Sequence, residues 1–404
     1  MRSGRARSWG GRRCFASSRA WRSPRQATAR GGVVVTGGPG TGKSALLARL
    51  AHTLHDRGCL VLAHAAGISA RAGSVEAMLR RWCGELAAAL GIPDPVQTTD
   101  PLQKLEERFA ELLSRAAVGR RVVVLVDALN QFDGSPAARH LTWLPELWPV
   151  NARLIATAVP GGESEALLKR RGVRELALGP LSEGEIEGAV RAMAARQHKA
   201  VPAEVIETLL ARRTPEGTPV AGNPLWLSIA VNQLLLLDEE DFAHLQGGTP
   251  EALVRFLVNV VQALPAGVEE LYRHLLDRTE RRFGRGFVRG LVDAVALSRH
   301  GLREGDLATL VPEVSGEPWS ELRFAMLRRY LRPHLVQRGA QGQWELAHAQ
   351  LRECVRGRIE EEPGREAAVQ RTIVGHLEGL PAGDPLRASE LMYHYWRLGE
   401  PLPA

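Results

Sequence analysis

The chain has 404 residues, enough for two to four domains with cores of their own. Its 45% apolar and 24% charged residues are those of an ordinary globular protein, and no apolar run reaches the length of a membrane span. The net charge of +7 sits in residues 1–30, which hold nine arginines and no Asp, Glu or Lys; residues 31–404 have 43 basic against 45 acidic residues, so the body offers no electrostatic case for a nucleic-acid surface.

The head, MRSGRARSWGGRRCFASSRAWRSPRQATAR, fits a basic tail for nucleic acid or membrane, an organellar transit peptide, or a plain disordered extension. The lack of a clear apolar face favours the last. The four cysteines (Cys14, Cys59, Cys83, Cys354) are scattered without metal-ligand spacing, which suits a reducing cytosol.

From Gly31 to about Pro180, five β-rich runs alternate with helical stretches: GVVVTG, CLVLAH, RVVVLVD, ARLIATA and VRELAL. Near-continuous apolar strands separated by helices predict a parallel sheet covered on both faces. The helices SVEAMLRRWCGELAAAL and PLQKLEERFAELLSRAAV lie between them. After Pro180 the strands stop. Ser182 followed by Glu185 predicts a capping-box start, and AEVIETLLARR, PLWLSIAVNQLLLL and PEALVRFLVNVVQAL continue as helices. Beyond Ala266, helices dominate around one hairpin, HLVQRGAQGQWELAH, turning at Gly339 and Gly342. Helices followed by a small hairpin predict a winged-helix unit, and the last forty residues read as two more helices. The fold class expected from this order is α/β with a parallel sheet, followed by a helical region and a winged-helix domain.

The stretch VVVTGGPGTGKSALLARLAHTL carries the Walker A pattern in Gly37, Gly42, Lys43 and Ser44, after an apolar strand and opening an amphipathic helix. Glycines let the backbone turn its N–H groups toward phosphates, and the helix adds its positive end. The expected cradle is Gly37, Gly38, Gly40, Thr41, Gly42, Lys43, Ser44 and Ala45. Lys43 would reach the β- and γ-phosphates and Ser44 would ligate Mg²⁺. Asp127 closes the apolar run RRVVVLVDALNQFDG and fits the second metal residue, although DALNQFDG would also make an ordinary turn. Asn130 and Gln131 follow where a vigorous hydrolase usually has a carboxylate. An amide cannot serve as a general base but can orient water, so Gln131 is the catalytic candidate beside Lys43 and Asp127. Asp133 lies beyond the expected site. ATP or ADP with Mg²⁺ is therefore the expected ligand, with slow turnover.

Four stretches, VTGGPGTGKSALLA, VVLVDALNQFD, GNPLWLSIAVNQL and WELAHAQLRECV, resemble the STAND class of P-loop ATPases, in particular its NACHT-like branch of telomerase-associated and nephrocystin-type proteins. The resemblance runs from about Gly31 to Arg356. It implies a proline packed on the adenine at Pro224, which is also a plausible first-turn helix proline. It implies a histidine contacting the β-phosphate at His348, although a lone histidine is also compatible with mere structure, and a first sensor at Thr157. Ala349 replaces the aspartate that follows the histidine in relatives, TAVPG lacks an arginine common after the sensor strand, and the Arg-rich head replaces the usual upstream segment. The implied division is 1–30 as a disordered extension, 31–180 as the nucleotide-binding domain, 181–263 as the lid, 264–362 as the winged helix, and 363–404 as the start of a truncated helical array. Effector and sensor domains are expected to be missing.

The resulting expectation is a cytoplasmic ATP/ADP switch that self-associates in its ATP state. The alternative is a nucleic-acid-handling AAA+-like ATPase working through its winged helix; the near-neutral body and Gln131 argue against nucleic acid, and no membrane partner is expected.

Overall fold

The structure, a computed structural model, describes residues 31–66, 70–243, 249–339 and 341–400; the Arg-rich head lies outside them. The chain divides into two compact units. One runs up to Ala189 and includes Ala221–Leu225; the other comprises Val190–Val220 and the residues from Trp226 onward.

The first unit is built on five parallel strands, β1 (Gly32–Thr36), β2 (Leu60–Ala65), β3 (Val122–Asp127), β4 (Ala152–Ala158) and β5 (Val173–Ala177), in the order β2-β3-β4-β1-β5. These are the five runs expected from the sequence. Side chains alternate between the faces of a strand, so a run apolar at every position must be buried on both. On β3, Val123 and Leu125 pack with Leu47 of helix α1 (Lys43–Asp56), while Val122, Val124 and Val126 join the larger core on the other face. That core takes Met78, Leu79, Trp82 and Leu86 from α2 (Val75–Leu90) and Leu105, Phe109 and Leu112 from α3 (Leu102–Gly119). Both helices put their apolar residues at i, i+3, i+4 and i+7 spacing. Ser74 caps α2 by accepting the Ala77 N–H, and Gly91, at φ 67°, ends it in the left-handed conformation. Two short helices, α4 (Pro136–His140) and α5 (Gly162–Leu168), follow β3 and β4.

Helix α6 (Glu183–Arg196) opens with the expected motif: the Glu185 carboxylate accepts both the backbone N–H and the hydroxyl of Ser182, at 2.9 and 2.7 Å. The second unit contains α7 (Ala203–Ala211), α8 (Pro224–Leu235, from Trp226 onward), α9 (Glu239–Phe242), α10 (Pro250–Ala263), α11 (Val268–Phe283), α12 (Arg285–Leu297), α13 (Glu304–Ser315) and α14 (Glu321–Tyr330). There follow the antiparallel hairpin β6 (Leu335–Arg338) and β7 (Gln343–Leu346), then α15 (Ala349–Glu360), α16 (Arg365–Gly379) and α17 (Pro385–Leu398). Helix α12 is the axis of this unit, with Phe287, Val288 and every residue from Gly290 to Leu297 buried. Leu302 forms a lone antiparallel bridge with Trp344 on β7. Gly301 lies so close that a Cβ there would stand 2.5 Å from the Trp344 carbonyl oxygen, and only glycine fits. The resulting order of helix, bridge, two helices and hairpin is the order a winged-helix unit has. No helix among the described residues is long and apolar enough to cross a membrane.

Candidate nucleotide-binding site

The loop between β1 and α1 is shaped by its glycines. Gly40 and Gly42 hold φ of 76° and 89°, and a Cβ on Gly37 would stand 2.8 Å from the Thr41 hydroxyl oxygen. Thr41 donates its hydroxyl to the Gly38 carbonyl at 2.9 Å. The Lys43 ammonium curls into the loop and donates to the carbonyls of Gly37 and Gly38, both at 2.7 Å. Burial lowers its pKa, while the negative charge of Asp127 works in the opposite direction. Ser44 and Ala45 are exposed in the first turn of α1, where backbone N–H groups have no intrahelical acceptor. Thr36, the last residue of β1, donates to the Glu175 carboxylate on β5 at 2.6 Å, which anchors the root of the loop to the sheet edge.

The strand order inserts β4 between the loop strand β1 and β3. Asp127 ends β3 and is 9% exposed; Thr157, near the end of β4, is fully buried beside it. The Thr157 hydroxyl donates to Asp127 Oδ1 and accepts the backbone N–H of Ala128 at 2.8 Å. Ala128 takes the left-handed conformation (φ 60°, ψ 58°), unusual for a residue with a Cβ, and starts a short 3₁₀ turn over Leu129–Gln131. The two amides then part company. Asn130 Oδ1 accepts the Val159 N–H at 3.4 Å, across the gap to the end of β4, whereas the Gln131 side chain, equally exposed, makes no hydrogen bond among the described residues. Asp133 is occupied elsewhere: its carboxylate accepts the backbone N–H and the hydroxyl of Ser135, at 3.4 and 2.6 Å, at the start of α4.

Pro224 lies against the loop. A Cβ on Gly42 would come within 3.6 Å of the proline Cγ, and the Leu225 N–H donates both to the Gly40 carbonyl at 3.2 Å and to Asn223 Oδ1 at 2.9 Å. The Asn223 contact is the cap bond of a helix start at Pro224, whereas the Gly40 contact is not visible in the sequence. Gly40 is needed twice over, for its positive φ and because a Cβ would meet Leu225 Cβ at 2.9 Å. Gly40→Ala is therefore expected to lower the free energy of unfolding by about 2 kcal/mol in denaturant titration. A loss under about 0.5 kcal/mol would show that the Asn223–Leu225 segment yields freely.

His348 belongs to the second unit, where it precedes α15. Its ring is tilted against that of His334 at 6.4 Å between centroids; burial lowers its pKa, and the nearby Arg338 charge adds to this. His334 is more deeply buried, and its pKa falls to about 4.

The first unit thus gathers the loop, Asp127, Thr157, the Gln131 turn and Pro224. A loop that a Cβ would fill, a half-buried ammonium and oxygen donors from Ser44 and Asp127 fit a phosphate chain with a hard divalent cation. Among the described residues no group of three or more His, Cys, Asp or Glu could hold a metal alone, so such an ion would draw its remaining ligands from phosphate and water.

The family model for the AAA ATPase domain matches residues 18–156. NACHT domain- and WD repeat-containing protein 1 of Homo sapiens is 28% identical over 354 residues, covering 81% of this chain and 21% of that protein. A TPR repeat-containing protein of Dictyostelium discoideum is 24% identical over 246 residues, covering 58% of this chain and 14% of its own length. The chain therefore spans about a fifth or less of these curated relatives. Among solved structures, a Signal Transduction ATPase with Numerous Domains (STAND) protein with a tetratricopeptide repeat sensor from Pyrococcus horikoshii shares the fold, with a TM-score of 0.54 at 15% identity over 98% of this chain and 49% of that one. Loop chemistry, the strand inserted between β1 and β3, and these likenesses make the chain similar to the STAND/NACHT-like P-loop ATPases.

Proposed function

We propose that the chain is an ATP/ADP-operated regulatory switch that hydrolyses its nucleotide slowly. The observation that carries the reading is the turn after Asp127. Its carboxylate is engaged by Thr157, the Asn130 amide is tied to Val159, and Asp133 serves Ser135. That leaves the exposed Gln131 amide to meet an attacking water. A neutral amide orients water without taking its proton, so turnover is slow unless another group assists.

In this reading Lys43 and the glycine loop bind the β- and γ-phosphates, and Pro224 packs on the base. Ser44 and Asp127 hold Mg²⁺, which when bound neutralises phosphate charge. His348 contacts the β-phosphate in the ADP state. A ligand shifts a two-state equilibrium only through different contacts in the two states, and the γ-phosphate supplies that difference. The released form self-associates.

The test compares wild type with His348→Ala, following release of a fluorescent ADP and mass by light scattering in ADP and in a non-hydrolysable ATP analogue. The expected result is release about tenfold faster in the variant, and a larger mass only with the ATP analogue. Equal release rates together with identical mass in both nucleotides would remove the switch and leave a nucleotide-binding scaffold.

A further inference from the structure

We infer that Thr157 is a positioning residue for the metal-binding carboxylate and does not read the γ-phosphate; the inference rests on the nucleotide reading above. A hydroxyl has one proton. That of Thr157 is given to Asp127 Oδ1, and a lone pair of the same oxygen takes the Ala128 N–H. Thr157 is fully buried, level with Val35 on one side and beside the end of β3 on the other, so its donor has no second direction to serve.

The consequence is a latch with two outputs. With Oδ1 fixed, the Asp127 carboxylate plane is set, and Oδ2, which makes no hydrogen bond among the described residues, is the oxygen presented for a cation. With its N–H held, Ala128 stays in a left-handed conformation that is unfavourable for a residue with a Cβ. That conformation aims the 3₁₀ turn carrying Asn130 and Gln131, and the Asn130 bond to Val159 closes the same gap a second time. One side chain thus fixes the metal ligand and the water-facing amide in register. Partners that orient a metal ligand typically contribute tenfold or more in metal affinity.

The test is a Mg²⁺ titration of fluorescent ATP binding to the full chain, with a parallel measurement in EDTA, for wild type, Thr157→Val and Thr157→Ser. Thr157→Val is expected to raise the Mg²⁺ concentration at half-saturation about tenfold while leaving affinity in EDTA unchanged, and Thr157→Ser is expected to stay within about twofold of wild type. Weaker binding of ATP relative to ADP, equal with and without Mg²⁺, would overturn the inference and make the hydroxyl a γ-phosphate sensor. An unchanged Mg²⁺ requirement would also overturn it. Should the valine variant fail to fold, Thr157→Cys, a weak donor of similar size, serves in the same titration. If wild type binds no nucleotide, the functional reading falls by itself. The latch is then judged by hydrogen exchange at residues 127–131, which must be at least about tenfold faster in Thr157→Val, or Thr157→Cys, than in Thr157→Ser; equal rates count against it.

Discussion

Lys43→Ala is expected to weaken binding of Mg²⁺–ATP about a hundredfold or more, measured by fluorescence titration, while the chain stays folded. The ammonium is half-buried and pre-placed by the Gly37 and Gly38 carbonyls, so it meets phosphate without further ordering. A charge-assisted bond to phosphate in such a setting contributes about 3 kcal/mol, and each 1.4 kcal/mol is about a factor of ten. Lys43→Arg should not rescue binding, because a planar fork cannot occupy the space of a compact ammonium between two loop carbonyls. Affinity within about threefold of wild type in Lys43→Ala would mean that the loop does not hold the phosphates.

The second large effect is expected in the other unit. Asp306, at the start of α13, is buried and accepts bonds from the Arg303 guanidinium at 2.7 and 3.1 Å and from His376 Nε2 on α16 at 2.9 Å. Arg303 continues to Asp384, which caps α17, at 3.0 and 3.3 Å. Burial by itself would raise the pKa of Asp306, but the bonds from His376 and Arg303 prevail and hold it at about 2. Asp306→Asn leaves Arg303 without its closest partner and is expected to cost about 3 kcal/mol of stability at neutral pH. The sign with pH follows from a folded-state pKa below the unfolded one. The carboxylate's contribution is complete above about pH 5, and it is lost as pH falls from about 4 toward 2. Denaturant curves of wild type and Asp306→Asn should therefore converge across that window. A pH-independent gap would show that the loss is one of shape rather than charge.

Much of the first unit was legible in the sequence because its constraints are local. A strand buried on both faces reads as a near-continuous apolar run, which is why VVVLVD and ARLIATA could be read directly. A loop that wraps phosphates requires glycine at particular positions, and Gly40 and Gly42 both take a positive φ there. What escaped was set by neighbours far apart in the chain. Thr157 could be placed at the end of its strand, but where its single proton goes depends on β4 lying between β1 and β3. The left-handed turn at Ala128 carries no glycine or asparagine to announce it. Asn130 and Gln131 read as a pair of amides, and only the course of the chain past β4 separates the tethered one from the untethered one. Likewise the Leu225 N–H reaches Gly40 across more than 180 residues, a contact that no spacing rule supplies.

The most direct measurement of the central claim is single-turnover and steady-state ATP hydrolysis by the purified full chain, after identifying any nucleotide that remains bound. The account predicts retained ADP and a turnover of only a few per hour, abolished in Lys43→Ala. Nucleotide-free protein that hydrolyses ATP at several per second, and loses that activity in Lys43→Ala, would contradict the switch and establish a motor.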